Sequence, residues 1–530
     1  MTRDWFGFSW LAYRSAAIFA ALFVCAPLVN AQDVTIRTGQ GALEIEGSVL
    51  GFDGEYLRLE TRHGELTLDY REVTCTGAAC PDPDTFVEEI RFAGTSRIGD
   101  LILPALVEGY ARSNALLAER REAGDRRFVY ELAARGEEPG VRLSFHLTTT
   151  EAGLSALERG DADIAMAARP VQSEDLGRAG PLPSGLDATR HIRLLAYDAV
   201  VPIVSPGADA GPVSLTALAG IFSGEIIRWS ELGGPDARIA LHLGPSETGL
   251  AAYFIETVLA PMGYELTDDV TLHPTDRDVV AAVMTDPNAM GIVSFERVGN
   301  AVALPLEGRC GLLDVATLNS VKTGDYPLTV PLYLYLPPWR LGPFGRDFID
   351  WLSGAEAQRI MRRIGVPGEV ASPIPVGQQG DRIVSAIQRA GDELGLGPLL
   401  SLADVIEGRE RLTPTFRFEP GRSTLDPSSL ARVRALAHAI AEGRYAGRDL
   451  LLAGFSDGQG PASTNLVLSE ARAEAVREAI LEALGGKLPE GQVLDIVPLG
   501  EVMPVSCDET SWGQQVNRRV ELWATSERYR

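Results

Sequence analysis

The sequence is poor in the side chains that build metal centres and nucleophilic active sites. Its 530 residues include only six histidines and five cysteines, and neither type clusters at the spacing of a zinc site. No HExxH motif and no phosphate-binding P-loop occurs. The paired carboxylates in the segments GDAD and TDD are best interpreted as solvated loop charges. We therefore expect a protein that is not an enzyme and that carries no cofactor or metal.

Positive charge is also scarce. The chain has 48 Lys+Arg against 72 Asp+Glu, which gives a formal net charge of −24. Because a nucleic-acid-binding surface needs clustered basic residues, this balance argues against nucleic acid as a partner. The length allows about three domains of roughly 150 residues each.

Long apolar runs are confined to the start of the chain. Arg14 precedes the run AAIFAALFVCAPLV, and the small residues Val29 and Ala31 then precede a predicted cleavage point. The run is shorter than the roughly 20 residues that span a bilayer, so residues 1–31 are predicted to be a signal peptide, with a signal anchor as the alternative. Cys25 has no small residues immediately before it, which argues against a lipoprotein.

The four remaining cysteines are Cys75, Cys80, Cys310 and Cys507. Export would place them in an oxidising compartment, where disulfides persist. Cys75 and Cys80 are close enough in sequence to clip the loop CTGAAC, and we predict that they are bonded. Since four cysteines allow three pairings, the pairing of Cys310 and Cys507 stays open.

The segment at 32–84 is predicted to be a small β unit. Leu57 and Leu59 in YLRLET, and Leu66 and Leu68 in ELTLDY, alternate with polar residues as in a half-buried strand. Turn residues separate these strands, and the cysteine loop closes the unit.

Three further segments follow. Residues 87–375 alternate strand-like and helix-like stretches, which predicts an α/β domain with a mostly parallel sheet. Residues 376–411 are predicted to be a helical linker that forms a joint rather than a core. Residues 412–530 form another α/β block, in which Asp426 and Pro427 are a good helix start.

The last block places an acid and a base near one point. Asp457 ends the apolar run LLLAGF, and Ser469 as N-cap would put Arg472 in the first turn of a helix. A cation there opposes the helix dipole by about 0.3–1 kcal/mol, so Arg472 is expected to meet an external anion. An acid beside a base suits a zwitterion, and the alternative is an internal salt bridge.

This block resembles the OmpA-like peptidoglycan-binding domain. The resemblance rests on GFSD (454–457), NLVLSEARAEAV (465–476), GEVMP (500–504) and NRRVELW (517–523). It implies binding of the diaminopimelate of the wall peptide through Asp457 and Arg472. Arg518 is a candidate helper, with a structural salt bridge as an equal alternative. Phe455 and Ser456 replace the His-Thr or Phe-Thr of many members and leave the Asp in place.

The central block resembles the PstS-like phosphate-binding proteins, which are type II periplasmic binding proteins. The matching stretches are ADIAMAARPV (162–171), LTALAGIFSGEIIRWSELGG (215–234), IALHLGPSETGLAAYF (239–254) and MGIVSF (290–295). The resemblance implies two α/β lobes joined by crossover strands, with the ligand in the cleft between them.

The family holds oxyanions with backbone N–H groups and hydroxyls at helix N-termini. The turns GTSRIG, TTTEAG and PSETG each follow a predicted strand. N-capping alone would explain any one hydroxyl, but three such turns favour a shared anion site. The candidates are Thr95, Ser96, Arg97, Thr150, Arg169, Thr248 and Gly249.

Three departures weaken the expectation of phosphate. Ala168 stands where phosphate specialists place an Asp, Gly244 or Leu243 where they place an Arg, and Leu250 where they place a Thr. Without the Asp, the site should reject a dianion such as sulfate less well. Arg97 and Arg169 are the residues that would restore positive charge.

The chain is therefore expected to be an exported protein of the periplasm, associated with peptidoglycan or the outer membrane. It would bind phosphate or a related oxyanion in its cleft and anchor non-covalently to peptidoglycan. The alternative is a wall-anchored structural or interaction protein whose binding lobes have lost the small ligand and contact other envelope proteins.

Overall fold

The computed structural model describes residues 33–38, 43–171, 191–245, 249–337, 339–389, 396–418 and 424–526. The chain divides into two compact units, Met1–Thr85 and Phe86–Arg530, and each is described by itself. The predicted signal peptide and the candidate Thr248 lie outside the described residues. Within the described ranges, every helix is too short or too polar to span a bilayer.

The first unit is a small antiparallel sheet. Its strands are β1 (Asp33–Thr38), β2 (Glu44–Phe52), β3 (Tyr56–Thr61), β4 (Gly64–Asp69) and β5 (Val73–Thr76). They lie in the order β4-β3-β2-β1-β5. Leu57 and Leu59 are fully buried, which confirms the alternation in β3, whereas Leu66 and Leu68 on the edge strand β4 are only half-buried. A disulfide joins Cys75 to Cys80, whose Cα atoms are 5.7 Å apart.

The second unit begins with a two-lobed α/β domain. Its strands are β6 (Glu88–Thr95), β7 (Leu116–Gly124), β8 (Arg127–Ala134), β9 (Val141–Thr148), β10 (Ile164–Ala167), β11 (Ile192–Val204), β12 (Ala240–Leu243), β13 (Val270–Leu272), β14 (Ala289–Ser294), β15 (Val302–Ala303), β16 (Leu306–Glu307), β17 (Leu313–Asp314) and β18 (Thr329–Tyr335). The main sheet runs β13-β12-β14-β11-β18-β10-β6-β9-β8-β7, with β15 paired to β11. The antiparallel strands β11 and β18 lie at its centre and join the two lobes.

This sheet is mixed, so the prediction of a mostly parallel sheet is wrong. β6 pairs in parallel with β9 and β10, and β12 with β13 and β14. The crossover strands and the β7–β8 hairpin pair antiparallel. A parallel pair needs a connection of about a dozen residues or more, whereas only Asp125 and Arg126 separate β7 from β8.

Helices cover both lobes. They are α1 (Leu103–Ser113), α2 (Thr150–Glu158), α3 (Leu215–Ser223), α4 (Gly249–Phe254), α5 (Asp276–Thr285), α6 (Leu318–Thr323), α7 (Pro343–Leu352) and α8 (Ala355–Arg363). A π-helical turn at Arg97–Ile102 leads from β6 into α1. Ile98, Ile102, Leu106 and Tyr110 recur at helical spacing in the sequence, and all four are buried along one face.

The C-terminal domain completes the second unit. Its strands are β19 (Pro373–Ile374), β20 (Arg409–Arg417), β21 (Leu450–Gly454), β22 (Leu494–Pro498) and β23 (Arg519–Thr525), and its helices are α9 (Gly380–Arg389), α10 (Leu396–Ile406), α11 (Pro427–Ala441), α12 (Ala462–Ala483) and α13 (Ser511–Asn517). The strand order is β19-β20-β23-β21-β22. Asp426 caps α11 by accepting from the backbone N–H of Ser429 at 2.7 Å, which confirms this predicted helix start.

Both faces of this sheet are covered. One face packs on α11 and α12 through residues such as Leu452 and Ile480. On the other face, Ala386, Leu402 and Val405 of α9 and α10 pack against the strands and are buried. The interpretation of residues 376–411 as a joint rather than a core is therefore wrong in this respect, because these amphipathic helices bury their apolar stripe on the sheet.

Ion pairs and a disulfide fix the C-terminal domain to the two-lobed domain. Asp325 accepts from Arg411 at 2.9 Å and from Arg417 at 2.8 Å. Burial would raise the pKa of Asp325, but these two arginines outweigh it and hold the pKa well below its usual range. A disulfide joins Cys310 to Cys507, whose Cα atoms are 5.6 Å apart. We call this contact region the seam.

Candidate functional site

The first site lies at the end of β21, where the chain turns toward α12. Asp457 is 8% exposed and accepts from Arg518 Nη1 at 2.5 Å. Its other carboxylate oxygen accepts from the backbone N–H of Gln459 at 3.3 Å. Gly458 N–H in turn donates to Asp508 at 2.9 Å. The loop therefore holds Asp457 in place, and the structure brings together two of the three predicted residues, Asp457 and Arg518, in direct contact.

The predicted position of Arg472 in its helix is wrong. α12 begins at Ala462 with Pro461 as N-cap residue, so Ser469 and Arg472 lie in the interior of a 22-residue helix. Ser469 is fully buried, donates to Leu466 O at 2.7 Å and accepts from Gly500 N–H at 3.0 Å. Its hydroxyl therefore ties the helix to the following strand and does not cap it, and the helix dipole has no part in the role of Arg472.

Arg472 nevertheless has unused hydrogen-bonding capacity at this site. Burial and the neighbouring Arg518 lower the pKa of Arg472, and Asp457 only partly offsets them. Its Nη1 is buried and has no hydrogen-bond partner among the described residues. A buried donor without an acceptor is costly, so this nitrogen has a strong preference for an added acceptor.

The three side chains together carry one negative and two positive charges. Asp457 can accept hydrogen bonds from an ammonium group, and Arg472 can bind a carboxylate in fork geometry. The excess positive charge means that an incoming carboxylate would balance the site. The arrangement suits a ligand that carries both groups on one carbon.

The second candidate site lies in the two-lobed domain, and the structure splits its predicted residues between two cavities. Thr95, Thr150, Arg169 and Gly249 line a cavity of about 30 Å³, which is room for only one or two water molecules. Thr150 lies at the start of α2 and accepts from Ala168 N–H at 3.1 Å, while Thr149 is the N-cap residue.

Ser96, Arg97 and Gly249 line the larger cavity, of about 540 Å³, in the cleft between the lobes. This cavity is not basic. Asp100, Asp276 and Asp278 lie on its walls beside Arg97, Arg277 and Arg297. Burial raises the pKa of Asp276 above its ordinary value.

Arg97 already has two carboxylate partners. It forms an ion pair with Asp198 and donates from Nη1 to Glu296 at 2.9 Å. Burial would lower the pKa of Arg97, but these carboxylates outweigh it and hold the pKa above its ordinary value. Burial raises the pKa of Asp198 to about 6, with Arg97 opposing the shift. The arginine that was to restore positive charge in the cleft is thus neutralised within the protein.

Arg169 is engaged in the same way. Its guanidinium forms an ion pair with Glu151 and donates to Pro170 O at 3.1 Å. Both arginines that could replace the missing phosphate-binding Arg therefore face carboxylates of this chain.

Sequence reasoning missed Asp198 and Glu296, and one signal was available. Asp198 interrupts the strand IRLLAYDAVVPIV, which is otherwise almost entirely apolar. A carboxylate on a strand that reads as fully buried needs a cation or several donors, because an unpaired buried charge is very costly. Asp198 is 1% exposed and meets Arg97 and two backbone N–H groups.

The segment GFSDG also has the spacing of a nucleophile elbow, Gly-x-Ser-x-Gly. Its Ser456 is 2% exposed, and its hydroxyl has no hydrogen-bond partner among the described residues. A serine nucleophile needs a base within hydrogen-bonding reach, so this segment does not form that type of site in the described structure.

Comparisons with known proteins match the two domains separately. Residues 129–356 match the PBP superfamily domain, and residues 417–518 match the OmpA family. The phosphate-binding protein PstS of Bacillus subtilis is 27% identical over 178 residues, which cover 33% of this chain and 56% of the relative. The chain thus spans little more than half the length of that relative.

The peptidoglycan-associated lipoprotein of Pseudomonas aeruginosa is 37% identical over 124 residues, which cover 23% of this chain and 67% of that protein. Among solved structures, an ABC-type phosphate transport receptor from Vibrio cholerae is 19% identical, with a TM-score of 0.41. The match covers 52% of this chain and 98% of the receptor chain.

Proposed function

The chain belongs to the OmpA family through its C-terminal domain and carries a PBP superfamily domain before it, and from this premise we propose that it is an exported envelope protein anchored to peptidoglycan. The ligand of the anchor is the diaminopimelate of the wall peptide. Asp457 takes the ammonium group, Arg472 takes the carboxylate, and Arg518 holds Asp457 in position. The wall link fixes the binding domain near peptidoglycan.

One observation carries this proposal. Arg472 Nη1 is buried beside Asp457 and Arg518 and has no hydrogen-bond partner among the described residues. A ligand carboxylate would supply the missing acceptor and would neutralise the surplus positive charge. Diaminopimelate offers that carboxylate next to an ammonium group, which matches the acid and the base of the site.

The test is co-sedimentation of the purified protein with purified sacculi. Asp457→Ala is expected to abolish binding, because the ammonium group loses its acceptor and two arginines then repel it. Asp495→Ala is the matched control, since Asp495 is an exposed carboxylate on the neighbouring strand β22 and should leave binding unchanged. Undiminished sedimentation of Asp457→Ala would overturn the proposal.

For the binding domain we propose the second of the two functions considered above, an interaction module that does not hold phosphate tightly. The observation that favours it is the pairing of Arg97 with Asp198 and Glu296 and of Arg169 with Glu151. Thr95, Ser96, Thr150 and Gly249 still offer hydroxyls and backbone N–H groups. The carboxylates beside both arginines offset the positive charge that would otherwise attract a dianion to these groups.

Calorimetric titration of ligand-stripped protein with phosphate and then with sulfate tests this second proposal. We expect no measurable heat with either anion at micromolar concentration. Phosphate binding at micromolar concentration or tighter would contradict it and would make the protein a wall-anchored phosphate binder. Sedimentation with sacculi is independent of this result, so the two proposals fail separately.

A further inference from the structure

A cavity of about 590 Å³ lies at the seam, beside the disulfide between Cys310 and Cys507 and apart from the two sites described above. One wall belongs to the two-lobed domain, with Leu215 and Ala217 of α3 and the hairpin of β16 and β17. The other wall belongs to the C-terminal domain and includes Trp512 of α13. The volume falls within the roughly 300–1,000 Å³ of cavities that hold small organic ligands, which occur preferentially at domain interfaces.

Fixed contacts hold the two walls together. The disulfide joins the loop between β16 and β17 to the C-terminal domain. The backbone N–H of Arg309 in that loop donates to Glu509 at 2.5 Å. On the other side of the hairpin, the backbone N–H of Glu307 donates to Val213 O at 2.9 Å, just before α3. The cavity is therefore preformed and is not a gap between loosely joined domains.

The lining combines apolar surface with negative charge. Leu306 is 1% exposed, and Leu215, Ile226 and Pro327 are half-buried. Four carboxylates and one guanidinium also line the cavity, which is a formal excess of three negative charges: Glu225, Glu307, Asp314, Glu509 and Arg309.

Neighbouring cations do not neutralise this excess. Glu225 accepts from Tyr264 Oη at 2.7 Å, and Glu509 accepts from a backbone N–H group, so both have uncharged donors. Within the described ranges, none of the four carboxylates forms an ion pair, and neither does the exposed side chain of Arg309. The cavity thus differs from the cleft, where carboxylates and arginines pair with each other.

Asp314 is the carboxylate of this cavity that lies deepest. It is 9% exposed, and its side chain accepts one hydrogen bond from the described residues, from Ser506 Oγ at 3.4 Å. Burial raises the pKa of Asp314 to about 8, with Ser506 opposing the shift and Asp325 and Glu509 adding to it. A buried carboxyl group with a single long hydrogen bond is costly. An ammonium group from a ligand would supply both donors and a positive charge.

We propose that this cavity binds an organic cation with an apolar body, in the manner of an arylalkyl amine. The ammonium group would meet Asp314 and Glu509, and the apolar body would lie against Leu215 and Leu306. The indole ring of Trp512 offers a further attractive surface for a cation. An inorganic cation has no apolar body to bury and would bind weakly. The proposal does not depend on what the cleft or the wall site binds.

Calorimetric titration of the full-length protein with 4-phenylbutylamine tests the site. We expect one saturable site with a Kd of about 100 μM or tighter. Ala217→Trp fills the cavity and should abolish binding, as should Thr216→Trp, whose exposed position covers the case that the first variant folds poorly. Ala281→Trp, on the exposed face of α5 in the same lobe, is the matched control and should bind normally. Absence of binding, or binding that persists in both cavity-filling variants, would overturn the site.

The charge requirement is tested with two further probes that share the phenylbutyl body. Uncharged 4-phenylbutanol and anionic 4-phenylbutyrate should each bind at least about tenfold more weakly than the amine. Asp314→Asn should weaken the amine by about tenfold and leave the alcohol within about twofold. Glu265→Gln, at an exposed carboxylate next to Tyr264 but outside the lining, is the matched control and should change neither affinity. Equal affinities for the amine and the alcohol would overturn the selectivity for a cation.

Discussion

The wall site and the cleft use the same side chains, arginines beside carboxylates at the ends of strands, but in opposite proportions. At the wall site Asp457 stands against Arg472 and Arg518, so one positive charge is left without a carboxylate. In the cleft, Arg97 meets both Asp198 and Glu296, so its charge is neutralised, although its Nη2 has no hydrogen-bond partner among the described residues. An arginine near a predicted anion site therefore indicates little about ligand binding until its carboxylate neighbours are known. Where arginines outnumber carboxylates, a positive charge is left for an anionic ligand. Where carboxylates outnumber arginines, that charge is neutralised within the protein.

The largest expected effect is on stability and concerns the cleft, where Arg97 is paired with two carboxylates. Arg97→Met leaves Asp198 and Glu296 buried without their cation, at 1% and 3% side-chain exposure. Removing one partner of such a buried ion pair costs about 3–5 kcal/mol, and we expect that loss in the free energy of unfolding. Denaturant titration that follows the unfolding transition of the second unit measures this change in the free energy of unfolding.

Arg91→Met is the matched control for that experiment. Arg91 lies on β6, the strand that leads to Arg97, and pairs with Asp163 at 2.9 Å, but its side chain is 43% exposed. Because water reaches the guanidinium of Arg91, and because Asp163 also accepts from the backbone N–H of Arg91, the control should cost clearly less stability than Arg97→Met. If both variants lost equal stability, Arg97 would not be the neutralised buried cation that we describe.

The next effect is the pH dependence of the cleft. Asp198 has a folded-state pKa of about 6, which is above the ordinary value of 3.8. A carboxyl with a raised pKa stabilises the fold below its unfolded pKa, and this contribution is lost as pH rises through the folded pKa. Relative to Asp198→Asn, the wild type should therefore lose about 2 kcal/mol between pH 4 and pH 6. Parallel stability curves for the two proteins would contradict the shift.

At the wall site we expect a smaller effect on stability and a clear effect on binding. Arg472→Met removes a half-buried cation and leaves Asp457 with Arg518, so unfolding should change by less than about 1 kcal/mol. Binding to sacculi should fall by about tenfold or more, because the ligand carboxylate loses a charge-assisted hydrogen bond. Co-sedimentation isotherms measure this.

Arg477→Met provides the control on the same helix. Arg477 pairs with Glu474 at 2.7 Å, three residues before it, and lies more than one helical turn beyond Arg472. Wall binding should survive this change. An equal loss in both variants would mean that general positive charge on α12, and not the open donor of Arg472, attracts the wall.

Much of this arrangement could be predicted from the sequence because it depends on local patterns. The strand YLRLET, the helix face from Ile98 to Tyr110 and the cap at Asp426 all follow from the spacing of neighbouring residues. The position of Asp457 at the end of an apolar strand is also local. For Arg518 the sequence leaves two alternatives, a helper in ligand binding or a structural salt bridge.

The remaining features depend on contacts between distant parts of the chain. Arg97 donates to Glu296, which lies 199 positions later in the chain, and no local sequence pattern predicts that pair. Ser469 has the residue type of an N-cap, but its hydroxyl is used by Gly500 N–H, 31 positions later, within a helix that started at Ala462. Likewise, α9 and α10 belong to the core because they pack on the sheet. The glycines and charges around them in the sequence indicate a joint instead.

The smallest expected effect on wall binding concerns the disulfide between Cys310 and Cys507, which joins the domain that holds the wall site to the domain that holds the cleft. The next residue, Asp508, accepts from Gly458 N–H beside Asp457, so the disulfide anchors one edge of the wall site. The double change Cys310→Ser and Cys507→Ser should lower wall affinity by only about two- to threefold, since Arg518 still holds Asp457 and Arg472 keeps its place on α12 without the disulfide. Stability should fall by about 2–5 kcal/mol, because the closed loop of 197 positions is long. The matched pair Cys75→Ser and Cys80→Ser opens a loop of only five positions and should cost less. Loss of wall binding in the first double variant, with its fold intact by circular dichroism, would mean that the wall site depends on its attachment to the binding domain and that the two regions are not independent.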